Sequence, residues 1–194
     1  AMMVAETASN FNQALLRPYL LERFTEGDER LALLEEAFGN FHRYFFIMPT
    51  LVRFELEVHQ AVERGEGLTS SRLNEIMRRL FQEGYGDAIR ADERTGITWA
   101  TFGHLFVPFY TFQYAAGISA AAALASDVRE GYERGDASAA ERYLGFLRTG
   151  SAEDPVTQLR RAGVDMTTPA PIEKAFAVLE GYVTQLEELA DARA

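Results

Sequence analysis

The 194-residue sequence contains no cysteine, only three histidines and a single tryptophan. Without cysteine, the chain forms no disulfide, no thiolate zinc finger and no cysteine nucleophile. Positive charge is also scarce, because 19 lysines and arginines are outnumbered by 29 aspartates and glutamates, giving a formal net charge of -10. Basic patches are what bind nucleic-acid phosphates, so this balance argues against DNA or RNA as a partner.

Several catalytic motifs are missing as well. No two of the three histidines, His42, His59 and His104, stand four residues apart, so the sequence has no HExxH zinc-binding helix. It also has no GxGxxG or GxxxxGK phosphate loop and no GxSxG serine elbow. Nucleotide chemistry and serine-type hydrolysis therefore have no support in the sequence.

Long apolar runs are absent too. The stretch 95–126 carries no formal charge over 32 residues, but Pro108 and several polar residues and glycines interrupt it. A membrane helix needs about 20 mostly apolar residues in succession. The N-terminus lacks a basic segment before an apolar run, so no signal peptide is predicted. We expect a cytoplasmic protein without membrane contact, with 95–126 as its most deeply buried segment.

Apolar residues at helical spacing are found along most of the sequence. Apolar residues make up 47% and charged residues 25% of the chain, which is typical of a globular protein. Most long segments repeat their apolar residues at helical spacing, and no alternating strand pattern of useful length is found. In the first segment the apolar face consists of Val4, Ala8, Phe11, Leu15 and Tyr19. We predict an all-α, bundle-like array of helices that forms one domain over 1–194.

Breakers and capping residues predict where the helices begin and end. We expect Pro18 to bend or interrupt the first helix, and Gly65-Glu66-Gly67 to end a long helix that begins at Asn40. Candidate N-terminal caps are Thr69, Ser70 and Ser71 for one helix and Asp136 and Ser138 for another, and Glu153-Asp154-Pro155 is expected to start a short helix. The irregular stretch from Gly84 to Thr101 is interpreted as a loop. Pro108 is placed in the first turn of the helix that follows.

Three acidic and imidazole side chains recur at a spacing of four residues on one predicted helix, namely Glu55, His59 and Glu63. They share a face and could hold a metal, but a partly exposed polar stripe is the interpretation we favour. From the residues alone His104 is most simply a satisfied core histidine, and Glu6 lies on a solvated helix face. Tyr110 and Tyr114 are most simply structural, although their hydroxyl groups need partners if they are buried.

Three stretches acquire further meaning when they are read together. They are Val4-Ala5-Glu6-Thr7-Ala8-Ser9-Asn10-Phe11-Asn12, then Phe54-Glu55 with His59 and Gly65-Glu66-Gly67-Leu68-Thr69, then His104 with Pro108-Phe109-Tyr110 and Gln113-Tyr114-Ala115-Ala116-Gly117. The tail adds Tyr143-Leu144, Gly150-Ser151, Asp154-Pro155, Ala162-Gly163-Val164-Asp165-Met166 and Pro169-Ala170-Pro171-Ile172 in order. Over essentially its whole length, the chain resembles the C-terminal part of the oligoendopeptidase F family of zinc metallopeptidases.

The resemblance implies the C-terminal part of a zincin-type catalytic domain that cleaves short peptides. In the intact family enzyme, zinc is held by the two histidines of HExxH and by a downstream glutamate, and the HExxH glutamate is the general base. Glu6 matches the downstream metal ligand. His104 and Tyr110 match catalytic residues that stabilise the oxyanion, and together with Tyr114 they match residues that bind the substrate.

The sequence departs from the family pattern in several respects, including an unusual Pro49 before the middle signature and the lack of the N-terminal lobe that covers the cleft in the family. The two histidine ligands and the general base are missing, and Phe112 stands where many relatives carry a tyrosine. We therefore expect that this chain alone binds no zinc tightly, is inactive, and needs an HExxH-bearing N-terminal portion in cis or in trans. The alternatives are one chain of a split peptidase and a non-catalytic helical interaction module. For such a module, apolar surface around residues 102–114 would be left uncovered and could lead to a homo-oligomer.

Overall fold

The structure is a computed structural model that describes residues 2–191. Within that range the chain forms ten α-helices, one π-helical segment, two 3-10 segments and no strand. The α-helices are α1 (Met2–Arg23), α2 (Gly27–Phe41), α3 (Met48–Glu63), α4 (Ser70–Tyr85), α5 (Glu93–Gly96), α6 (Thr98–Thr101), α7 (Phe112–Glu133), α8 (Ser138–Thr149), α9 (Pro155–Ala162) and α10 (Ala170–Asp191). The predicted all-α class is confirmed.

The chain divides into two compact units. The first contains the described residues up to Phe41 and from Ala116 onward, and the second is His42–Ala115. The prediction of a single domain over 1–194 stays a prediction. No helix within residues 2–191 is both long enough and apolar enough to cross a membrane.

The core of the first unit is built around α7. Nine consecutive residues of this helix, 117–125, are buried, so the helix is covered on all sides rather than along one stripe. Phe11 of α1 stacks on Tyr143 of α8, with ring centroids 3.5 Å apart, and Leu159 of α9 completes the cluster. The expected deep burial of the charge-free segment is therefore confirmed for this part of α7.

The same expectation is wrong for residues 106–109. Phe106 is 76% exposed and Val107, Pro108 and Phe109 are exposed as well. The absence of charge there does not reflect a core position, because these residues form a turn that lies on the surface of the second unit.

Helices α1 and α7 approach each other most closely at Gly117. A Cβ atom added to this glycine would lie only 2.6 Å from the Cβ atom of Glu6 and 3.2 Å from its backbone carbonyl carbon. Non-bonded carbon atoms do not come this close without a steric clash, so the absence of a side chain at residue 117 permits this crossing.

The core of the second unit lies between α3 and α4. Leu51 and Phe54 from α3 pack against Met77 and Leu80 from α4, and Trp99 covers one side of this cluster. The Trp99 indole nitrogen donates a hydrogen bond to Asn74 Oδ1 at 2.8 Å. Thr69 caps α4 as predicted, since its hydroxyl oxygen accepts a hydrogen bond from the Arg72 backbone nitrogen at 3.3 Å.

Two predicted helix starts are wrong. Asn40 does not begin a helix, because it lies inside α2, which continues into a π-helical segment (His42–Ile47) before α3 begins at Met48. Pro49 therefore falls in the first turn of α3, directly after the π-helical segment. Pro108 lies in the turn that precedes α7 rather than inside it, and α7 begins at Phe112.

The other boundaries follow the sequence more closely. The predicted interruption at Pro18 is not found, however, because helix α1 continues through Pro18 to Arg23. Asp154 caps α9 by accepting a hydrogen bond from the Thr157 backbone nitrogen at 2.9 Å, and Asp136 accepts one from the Ser138 nitrogen before α8. The predicted loop from Gly84 to Thr101 is wrong in part, since it contains the short helices α5 and α6.

The Gly117 contact leads to a stability prediction. We expect Gly117→Ala to lower the free energy of unfolding by about 1–3 kcal/mol, because the added methyl group overpacks the crossing of α1 and α7. Urea denaturation followed by circular dichroism measures this change.

Gly145→Ala is the matched control, because this glycine also lies within a helix and a Cβ atom added there meets nothing within 4 Å. Its expected effect is a gain of about 0.5–1 kcal/mol from helix propensity. Equal effects of the two substitutions would contradict the packing argument.

Candidate functional site

The structure brings His104, Tyr110 and Tyr114 together on the second unit. The imidazole of His104 stacks on the Tyr110 ring with centroids 5.7 Å apart, and it meets the Tyr114 ring edge-on at 5.7 Å. The two tyrosine rings are also edge-on, at 5.5 Å, and the Tyr114 hydroxyl donates a hydrogen bond to the Tyr110 hydroxyl oxygen at 3.0 Å. These three residues are called the His-Tyr cluster below. Their predicted roles stay predictions.

Three different local structures carry the members of the cluster. His104 lies in the 3-10 segment Gly103–Phe106, and Tyr114 lies in the first turn of α7. Tyr110 stands between them, directly after Phe109, which has a φ angle of +53°. All three side chains are partly buried, so each keeps one side in contact with the protein and another side accessible.

Tyr44 packs against the His-Tyr cluster, and no pattern in the sequence predicted this contact. It lies in the π-helical segment, and its ring is nearly parallel to that of Tyr114, with centroids 5.4 Å apart and an interplanar angle of 3°. Both tyrosines pack on the apolar core of the second unit. Tyr114 is therefore held by packing on one face and by the other cluster members on another.

Glu55 also contacts the segment that carries the cluster. Its side chain is buried, and its Oε1 atom accepts a hydrogen bond from the backbone nitrogen of Phe109 at 2.5 Å. The interpretation of Glu55, His59 and Glu63 as one exposed stripe is thus wrong for Glu55. The signal was available, because Glu55 follows Met48 and Leu51 at the spacing of the buried face of α3.

Glu6 belongs to the first unit, on α1. Its side chain is half-buried, and burial raises the pKa of its carboxyl group above the ordinary value of 4.5. Within residues 2–191 no side chain pairs with this carboxylate, although Asn10 donates a hydrogen bond to the Glu6 backbone oxygen at 2.8 Å. The carboxylate is therefore held on a rigid helix next to Gly117 and is chemically unpaired.

The described residues do not form a metal site by themselves. No group of three or more histidine, aspartate or glutamate side chains within 2–191 is arranged so that it could hold a metal ion. Catalytic zinc sites in proteins use three protein ligands and keep one position open. Glu6 can supply one ligand of such a site, and the remaining ligands are not found in the described part of this chain.

Comparison with known proteins gives a consistent result. The model of peptidase family M3 matches residues 1–178. Oligopeptidase PepF of Bacillus subtilis is 36% identical over 190 residues, which cover 97% of this chain and 28% of that protein. The plasmid-encoded oligoendopeptidase F of Lactococcus lactis subsp. cremoris is 32% identical, with 98% of this chain and 31% of that protein covered.

The fold agrees with the sequence match. The crystal structure of oligoendopeptidase-F from Enterococcus faecium superimposes with a TM-score of 0.85 at 34% identity, covering 97% of this chain and 36% of that one. This chain spans less than a third of the length of the two curated relatives described above. The family match over 178 of the 194 residues shows that the chain belongs to peptidase family M3.

Proposed function

We propose that this chain is the C-terminal part of an oligoendopeptidase F-like metallopeptidase, which supplies one zinc ligand and the substrate side of the active site. The observation that carries the proposal is the His-Tyr cluster, in which a family resemblance and a close spatial arrangement meet at the same three residues. Short peptides are the proposed substrates of the complete enzyme. The chain alone is proposed to be inactive, since the described residues lack two ligands and a general base.

The hydrogen bond between the two tyrosines supports a definite role for Tyr110. Each phenol can donate or accept in this contact, and with Tyr114 as the donor the Tyr110 hydroxyl keeps its own hydrogen for another acceptor. A peptide carbonyl oxygen is such an acceptor, and its negative charge grows as the carbon becomes tetrahedral. A donor held in place before the reaction stabilises that charge without reorganisation. His104, stacked on the same ring, restricts the orientation of Tyr110.

Glu6 is proposed as the carboxylate ligand of zinc in the complete enzyme. Its half-burial and lack of a side-chain partner within residues 2–191 support this role, because a cation would compensate the charge that burial disfavours. The HExxH-bearing portion, in cis or in trans, would contribute the two histidine ligands and the general base. Glu6 alone does not make a zinc site, because catalytic zinc sites use three protein ligands.

Exposed apolar side chains favour a second candidate function. Phe106 is 76% exposed and Val107 is 54% exposed, and both lie in the segment that carries the cluster. Surface of this kind is common where a protein binds a partner. A non-catalytic module that binds a protein partner, or that self-associates, is the alternative role. Sedimentation as a strict monomer at high concentration would count against self-association.

The first prediction concerns metal and activity. We expect calorimetric titration of the purified chain with zinc to show no tight binding, and a quenched-peptide assay to show no cleavage that a chelator suppresses. Addition of an HExxH-bearing portion from a family member should produce tight zinc binding and peptide cleavage that a chelator suppresses. Cleavage by the chain alone that a chelator suppresses would contradict the proposal.

In the completed enzyme, Glu6→Gln should weaken zinc binding by more than the roughly 10–100-fold that is typical when a residue behind a ligand is lost. The matched control is Glu63→Gln, at an exposed glutamate of the second unit, which should leave zinc affinity unchanged. An equal loss of zinc affinity in both variants would contradict the proposed role of Glu6 as a zinc ligand.

The second prediction concerns Tyr110 in the completed enzyme. Tyr110→Phe removes the hydroxyl donor and keeps the ring, so we expect kcat to fall by about 10²–10³ with a smaller change in KM. Tyr132→Phe, at a tyrosine that is 85% exposed, is the control and should leave both constants unchanged. A loss confined to KM would show that Tyr110 binds substrate without stabilising the transition state.

The third prediction follows from the raised pKa of Glu6. The folded chain binds this proton more tightly than the unfolded chain does, so ionised Glu6 lowers stability once the pH exceeds its ordinary pKa. Glu6→Gln should therefore increase the free energy of unfolding at pH 7 relative to the parent chain. The difference should shrink as the pH falls below about 4.5, where both states carry the proton. Denaturation curves recorded from pH 4 to pH 7 measure it, and an opposite trend would contradict the burial argument.

A further inference from the structure

We infer that Glu55 is a positioning residue for peptide recognition by the His-Tyr cluster. Its buried carboxylate holds the backbone of Phe109 in a left-handed conformation, and this conformation sets Tyr110 against His104. The inference rests on the proposed function in one respect, namely that the cluster binds peptides. The conformational part stands on the contacts of Glu55 and Phe109 themselves.

The hydrogen bond from Phe109 to Glu55 joins residues that are 54 positions apart in the sequence. The Glu55 side chain is only 4% exposed, whereas Phe109 is 47% exposed. A backbone N–H in an exposed turn is thus directed inward to a carboxylate on the core side of α3. Hydrogen bonds to a charged acceptor in a dry environment are among the strongest in proteins.

Phe109 has an unusual backbone conformation. Its φ angle of +53° makes it the only residue other than glycine within 2–191 with a positive φ. A bulky L side chain disfavours this region, so such a residue persists only where its surroundings impose the conformation. Two contacts from one face of α3 impose it here. Glu55 binds the Phe109 nitrogen, and His59, one turn later, meets the Phe109 ring edge-on at 5.1 Å.

The left-handed residue determines where Tyr110 lies. On its N-terminal side, the Val107 nitrogen donates to the His104 oxygen at 3.2 Å, and on its C-terminal side the Tyr110 nitrogen donates to the Val107 oxygen at 3.2 Å. Two consecutive turns, 104–107 and 107–110, therefore connect His104 to Tyr110, and Phe109 is the third residue of the second turn, directly before Tyr110. If Phe109 relaxed to an extended conformation, the Tyr110 ring would leave His104 and its hydroxyl would leave Tyr114.

The second oxygen of the Glu55 carboxylate does not contribute a stabilising contact. Its Oε2 atom is buried and has no hydrogen-bond partner within residues 2–191. A buried carboxylate with one unpaired oxygen is a poor means of stabilising a fold, because the desolvation of the charge is only partly offset. A leucine would fill the same core position without that cost. The contact that distinguishes a carboxylate from a leucine here is the hydrogen bond to Phe109.

The conformational test uses three variants of the whole chain. Glu55→Leu removes the acceptor, Glu55→Asp keeps the charge but shortens the side chain, and Glu55→Gln keeps an acceptor oxygen at full length. Nuclear magnetic resonance reports the hydrogen-exchange rate of the Phe109 amide and the nuclear Overhauser contacts between the His104 and Tyr110 rings. We expect exchange to accelerate about tenfold or more in the Leu and Asp variants, together with loss of the ring contacts, and we expect Gln to retain both.

A glycine substitution separates positioning from general stability. Glycine adopts a positive φ at no steric cost, so in the Phe109→Gly background the ring of Tyr110 should depend less on Glu55. The loss of His104–Tyr110 ring contacts caused by Glu55→Leu should therefore be markedly smaller in the double variant. A role of Glu55 confined to the stability of α3 would leave the effect of Glu55→Leu the same in both backgrounds. Trp99 fluorescence monitors folding, and if Glu55→Leu fails to fold, Glu55→Asp takes its place.

The binding test uses a capped heptapeptide with a central phenylalanine, titrated into each variant while the Tyr110 and Tyr114 resonances are followed. We expect Kd to rise about tenfold or more in the Leu and Asp variants and to stay within about threefold of the parent in the Gln variant. Unchanged Phe109 exchange and unchanged ring contacts in Glu55→Leu would overturn the inference, and so would equal behaviour of the Gln and Leu variants. If the parent chain binds no peptide, the proposed function of the cluster fails and the peptide-recognition part of the inference fails with it, while the exchange data still decide whether Glu55 positions Tyr110.

Discussion

The close approach of α1 and α7 is the constraint on which the first unit depends. At Gly117 the two helices meet with no side chain between them, and a methyl group there would collide with Glu6. The long alanine run of α7 extends the same principle, because small side chains let neighbouring helices come near on every side. Glu6 is therefore fixed by backbone contact rather than by a partner for its carboxylate. A residue held in this way can keep an unpaired charged group at a defined position.

In the second unit, the candidate site residues are positioned differently. Two of its three functional candidates, His104 and Tyr110, lie outside the α-helices, so no repeating α-helical pattern determines where their side chains point. Individual contacts do so instead. The stack of Tyr44 on Tyr114, the bond between the two phenol groups and the link from Glu55 to Phe109 each hold one member of the segment. Positions that depend on single contacts respond sharply to single substitutions, which is useful in an experiment.

Periodicity and capping chemistry were enough to predict most of the fold from the sequence. Thr69 and Asp154 cap helices because short polar side chains reach a free backbone N–H within one turn, a purely local interaction. The failures at Asn40 and Pro108 have a different origin. The left-handed conformation of Phe109 is held by its tertiary contacts with Glu55 and His59, and no local sequence pattern predicts either that conformation or the π-helical turn. For the same reason His104, Tyr110 and Tyr114 could be grouped only through family resemblance, and Tyr44 was missed.

The π-helical turn at His42–Ile47 has a consequence for how this protein tolerates change in length. A π-helical turn accommodates one residue more than the α-helical turn that it replaces. Deletion of one residue there would restore regular α-helical spacing and rotate the side chains before it by about 100° relative to α3. Tyr44 would then face away from Tyr114, although every residue of the stacked pair was still present. A deletion of one residue in this segment is thus expected to disrupt the stack of Tyr44 on Tyr114.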